Sequence, residues 1–209
     1  MLNLRRSFCL LFLLTGLLIN CSSAQNRIVP TPMTPVESLP SAKVNTETKR
    51  FESTGGKFAI GITEAPLEVR DLGTETANKK GIDVGKMFIW KFEKTLYTIL
   101  YKKPLSADGN SLQPDGDPKS QNLRDFEAYN VGMRRGIAQS NSKLISEKRI
   151  SLNEYPGTEF RYVAPDGTKF IGRMYSVNSV GYQVVGGYAD DKAENEVLEV
   201  LDSFRLLPD

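Results

Sequence analysis

Between residues 22 and 50 the chain holds four prolines, Pro30, Pro32, Pro35 and Pro40, among serine, threonine, asparagine and glutamate. No apolar residue recurs there with the period of a helix or a strand. A stretch that cannot bury one face cannot repay the entropy of folding. It divides the 209 residues into three parts: residues 1–20, a disordered tether over 21–50, and a foldable unit over 51–209. Semi-extended proline-rich chain covers about 3.1 Å per residue, so the tether reaches up to roughly 90 Å. The foldable unit is long enough to bury a core without a metal or disulfide staple.

The part before the tether reads as a targeting signal. Arg5 and Arg6 form a basic start, and Phe8 to Ile19 is apolar apart from Thr15 and Gly16. That run is too short for a transmembrane span and fits the core of a signal peptide. Leu18-Ile19-Asn20-Cys21 then resembles a bacterial lipobox, in which the peptide is cut before a cysteine that carries diacylglycerol. Asn20 stands where Gly, Ala or Ser is usual. Lipidation of Cys21 would hold the domain to a membrane of the cell envelope, on the outer membrane or periplasmic face, since several acyl chains give stable anchoring. The alternative is cleavage after Ser22-Ser23-Ala24, which would release a soluble extracytoplasmic protein.

Composition removes several chemistries. There is no histidine, which excludes Ser-His-Asp and Cys-His nucleophile pairs and imidazole metal sites. Of the two cysteines, Cys9 lies inside the apolar core and leaves with it, and Cys21 is consumed by lipid. The charge also changes with processing. The 27 basic residues include Arg5 and Arg6, so cleavage before Cys21 leaves 25 of each sign. Lys79-Lys80, Lys102-Lys103, Arg134-Arg135 and Lys148-Arg149 are scattered pairs without a basic run, and nucleic-acid binding has no footprint.

Periodicity places the elements. Lys57–Ile62 alternates, with Phe58, Ile60 and Ile62 on one face. Leu67–Leu72 reads as a weaker edge strand, and Thr74–Gly81 as turns. Val84–Phe92 and Thr95–Tyr101, separated by Glu93-Lys94, form a hairpin. Lys102–Gln121 is a long loop whose Asp108, Asp115 and Asp117 lack the EF-hand ligand order. Leu123, Phe126, Asn130, Met133 and Ile137 form one helical stripe. Four strands follow: Lys143–Leu152, Glu154–Val163, Thr168–Val177 and Gly181–Tyr188. The middle turn, Pro165-Asp166-Gly167, has glycine at its left-handed position. A last helix, capped by Asp190 or Asp191, turns Val197, Leu198 and Leu201 inward. The predicted class is α+β, a central antiparallel sheet of about six or seven strands flanked by helices.

That turn fixes a register. If Ala164 faces Thr168, Glu159 lies opposite Arg173, a cross-strand charge pair contributing a few tenths to about 1 kcal/mol. Arg161 and Tyr175 share the face, which leaves a small anion-binding patch as a second, unsupported reading. Gly55-Gly56 and Gly186-Gly187 begin no phosphate-binding pattern and are expected in a turn and a tightly packed strand.

Several motifs in order carry a family resemblance. In the first half they are Phe51-x-Ser53-x-x-Gly56-x-Phe58, Pro66, and Tyr97-x-x-x-Tyr101 with Pro104. In the second half they are Tyr155-Pro156-Gly157-x-Glu159-Phe160-Arg161-Tyr162, Asp166-Gly167, Arg173-x-Tyr175 and Leu201-Asp202-Ser203-Phe204-Arg205-Leu206. Together they resemble the PsbP-like domains over residues 51–207. The resemblance implies an αβα sandwich and binding or assembly roles rather than catalysis, as in photosystem accessory subunits and a Ran-binding nuclear transport factor of the same fold. The expected function is a membrane-anchored, non-catalytic binding or accessory module with a protein partner in the envelope. It needs no cofactor or metal. The alternative is a carrier of a small apolar ligand or lipid between sheet and helices.

Overall fold

The computed structural model describes residues 42–72, 84–103 and 118–208. Cys21, the signal segment, the tether up to residue 41, the turns over 74–81 and the three loop aspartates lie outside them. The described chain is α+β, with two antiparallel sheets and two helices.

Four short strands form the smaller sheet: β1 (Ala42–Asn45), β2 (Arg50–Ser53), β3 (Phe58–Ile60) and, from the far end of the chain, β11 (Arg205–Leu206). The expected disordered stretch does not extend over 42–50, because β1 and the turn into β2 lie there. Asn45 closes that turn, its side-chain oxygen accepting from the backbone N–H of Glu47 (3.0 Å) and Thr48 (3.2 Å). A polar hairpin of this kind gives no apolar alternation to read; it is held by pairing with β2 and by partial burial of Val44 against the core.

The larger sheet has seven strands. β4 (Glu68–Leu72), β5 (Val84–Lys91), β6 (Thr95–Lys103), β7 (Lys143–Leu152), β8 (Tyr155–Val163), β9 (Lys169–Val177) and β10 (Val180–Tyr188) lie in the order β4-β5-β6-β10-β9-β8-β7. Helix α1 (Pro118–Gln139) packs over β7 to β10 on one face, and α2 (Glu194–Asp202) over β10 and β9. Val185 and Gly186 separate the two faces. Val185 lies opposite Gly172, whose position Met133 of α1 covers, while Gly186 is covered by Val197 of α2. The smaller sheet shares the α2 face.

Asp190 caps the short 3-10 turn Asp191–Ala193, accepting from the Lys192 N–H, and not α2 itself, which has no side-chain cap. Most other predicted elements recur, with three differences. The long loop is shorter at both ends, since β6 continues to Lys103 and α1 starts at Pro118. Leu123 leaves the buried stripe of α1 and is 54 % exposed. The third is the smaller sheet, with segments too short to carry a period. The turn after β8 closes as expected, with Gly167 at φ 86° and the Ala164 N–H donating to the Thr168 carbonyl at 2.8 Å.

Candidate functional site

The predicted Glu159–Arg173 pair exists, and it belongs to a longer chain of charges. Arg173 Nε donates to Glu159 at 2.9 Å and its Nη1 meets Asp202 at 2.6 Å. Arg161 donates to the other oxygen of Glu159 at 3.2 Å and to Glu194 at 2.5 Å, and the Tyr188 hydroxyl donates to Glu194 at 2.9 Å. The order Asp202–Arg173–Glu159–Arg161–Glu194–Tyr188 runs between the two ends of α2, which begins at Glu194 and ends at Asp202.

Adjacent strands β8 and β9 therefore hold both ends of one helix through two arginines. Asp202 alone at a helix C-terminus would be unfavourable to the helix dipole, and Arg173 offsets it. The arginine hydrogen bonds, first to Glu194 and also to Glu159, raise Arg161 above the ordinary guanidinium value. Burial works against the charge on Arg173, and its bonds to Asp202 and Glu159 overcome that. Glu194 is held below the usual carboxylate range, first by Arg161 and then by Tyr188. Burial, with help from Glu194, pushes Tyr188 up to about 12. Arg161 and Arg173 are both spent on carboxylates, so the anion-binding reading of this face is not supported. The cluster fastens α2 to the sheet.

The opposite face of the sheet holds what sequence order had scattered. Arg134 of α1 grips Glu147 of β7 with two bonds, 2.9 and 2.5 Å, and Arg149 of β7 reaches back to Glu127 at 2.6 Å. The Arg149 guanidinium also lies 4.5 Å from the ring centre of Phe126. Arg134, from the first pair, and Arg149, from the second, thus meet across one rim, while Lys148 lies on the other face of β7, opposite Glu159. Lys143, Lys148 and Arg135 have no ion-pair partner among the described residues. Residues 118–152 contain seven basic side chains against three acidic, and 153–208 five against nine. Leu123 and Val131 on α1 and Leu144 and Ile145 on β7 are exposed large apolar side chains on the same two elements. Helical and strand neighbours far apart in sequence created this surface, and only the α1–β7 packing could reveal it.

Between the two sheets the space is filled by rings. Phe51 sits 5.0 Å from Trp90 and 5.2 Å from Phe88, and Phe58 5.7 Å from Phe204. Tyr182, 5.9 Å from Phe204, donates its hydroxyl to the Gly56 carbonyl at 2.8 Å. Beneath α1 the packing is more polar. Asn130, Thr158 and Ser176 are fully enclosed, and their side-chain polar atoms have no hydrogen-bond partner among the described residues.

No family model and no curated protein matches the chain. Among solved structures it is similar to cyanobacterial PsbP (CyanoP) from Synechocystis sp. PCC 6803. The identity is 13 %, the TM-score 0.40, and the match covers 84 % of this chain and 98 % of that one. At that level the cyanobacterial protein's role is not carried over.

Proposed function

We propose that the chain is an extracytoplasmic lipoprotein, anchored in the bacterial cell envelope by an acylated Cys21, whose folded domain is a non-catalytic binding or accessory module. The observation that carries the module reading is that α1 and β7 carry exposed apolar side chains together with cations that have no ion-pair partner among the described residues. Exposed apolar groups of that kind mark surfaces that meet other molecules. The motifs resembling PsbP-like domains favour the same reading, and so does the absence of histidine. A carrier would need room between its layers, and ring-to-ring packing between the sheets speaks against it. The anchor rests on Leu18-Ile19-Asn20-Cys21 and the proline-rich stretch behind it.

Two measurements test this. Cys21→Ala should abolish labelling by radioactive palmitate and move the protein from the membrane to the soluble fraction. Unchanged fractionation of that variant, or a mature N-terminus following Ala24, would remove the lipid anchor. Cross-linking in intact envelopes should then attach the domain to a protein; adducts confined to a small apolar molecule would favour the carrier.

A further inference from the structure

Among the described residues strand β7 ends the larger sheet, pairing with β8 alone, and its residues 143–149 are all exposed. An edge strand of an antiparallel sheet leaves alternate backbone N–H and C=O groups facing outward, ready for another strand. Pairing with β8 shifts register between Leu144 and Ser146, so the regular outer ladder is Ser146–Leu152, preceded by the exposed Ile145. The sheet's other edge, β4, is shorter, and its charges are spent on the internal pairs Glu68–Arg70 and Asp71–Lys86.

The charges around β7 set what can approach. Lys148 and Arg149 point to opposite faces of the strand, Lys148 on the face of Glu159 and Arg149 on that of α1. Lys143 stands before the bulge and Arg135 on the outer side of α1, both exposed. An anionic lipid surface could satisfy these cations and leave the outward backbone groups without partners, which is costly in contact with lipid. An extended chain with acidic residues satisfies both.

The geometry points to β7 as the docking strand for an extended, acidic segment of a protein partner, which adds to the sheet antiparallel or parallel beside Ser146–Leu152 and sets its carboxylates against Lys143 and Lys148. This rests on the reading of the domain as a binding module and names the surface and partner chemistry that reading leaves open.

The test uses the full chain, isotopically labelled, with two synthetic probes: a peptide of repeated Val-Glu-Glu-Thr units and its Val-Lys-Lys-Thr counterpart. The acidic peptide should slow hydrogen exchange at alternate amides between 146 and 152, and the basic one should not. Lys143→Glu with Lys148→Glu should weaken binding about tenfold, as the loss of two exposed charge pairs allows. Lys143→Arg with Lys148→Arg should retain it. Equal protection by both peptides, protection at β4 instead, or perturbation of β7 only by phosphatidylglycerol vesicles would overturn the inference. A photo-cross-linking residue at position 145 in intact envelopes separates it from the module reading. Protein adducts from other faces and none from 145 would leave a binding module that does not use this edge.

Discussion

Arg173 is 13 % exposed at its side chain and stands between Glu159, equally enclosed, and Asp202. Water screens such a group poorly, so its value lies in what its loss would leave behind. Arg173→Ala strands the Glu159 carboxylate with only the longer bond to Arg161, and releases Asp202 at the helix end. Removing one member of a largely buried pair costs about 3 kcal/mol. Replacing both partners by apolar groups of similar volume, Glu159→Leu with Arg173→Met, should cost less than about 1 kcal/mol. Urea unfolding followed by circular dichroism measures both. A single variant as mild as the double one would show that the pair is solvated in solution and does not fasten α2.

At the scale of elements, the contact of α2 with β10 depends on an absent side chain. A Cβ on Gly186 would stand 2.4 Å from Val197 Cγ1, and Val197 is fully buried. Gly186→Ala must displace the helix or the strand, at about 2 kcal/mol. Adding Val197→Ala should recover part of that loss, even though Val197→Ala alone destabilises, and a denaturation cycle over the four proteins measures the coupling. How much of this was legible follows from where the information sits. The Pro165-Asp166-Gly167 turn is local, and it fixed the register of β8 and β9 and hence the meeting of Glu159 with Arg173. The stripe Phe126, Asn130, Met133 and Ile137 announced α1 in the same way. Strands of two to four residues carry no readable period, so β1, β2 and β11 went unseen as a sheet. The partners of Arg161 and Arg149 come from other elements, 33 and 22 residues away, and no spacing rule predicts them.

Taken whole, both helices are tied to the large sheet by carboxylates with lowered pKa: Glu194 joins α2 to β8, and Glu147 joins β7 to α1. Arg134 is the first cause for Glu147, as Arg161 is for Glu194. A carboxyl group with a lower pKa in the folded state contributes stability that is present above its unfolded value, here 4.5, and lost as pH falls through the folded one. The tyrosines act at the other end of the scale. Burial pushes Tyr97 and Tyr188 up to about 12 from 10.0, so their contribution is complete below pH 10 and lost as pH climbs through about 12. Between these windows a histidine would usually titrate, and this chain has none. Stability should therefore be nearly flat from about pH 6 to about pH 9. It should fall below pH 4.5 as the carboxylates that hold both helices take up protons. Glu147→Gln with Glu194→Gln should start lower at neutral pH, by roughly 1 kcal/mol for two partly exposed pairs, and lose less on acidification. Urea midpoints across the range measure this. Parallel acid limbs for the wild type and the double variant would mean that other carboxylates govern the acid transition and that these two ion pairs do not hold the helices.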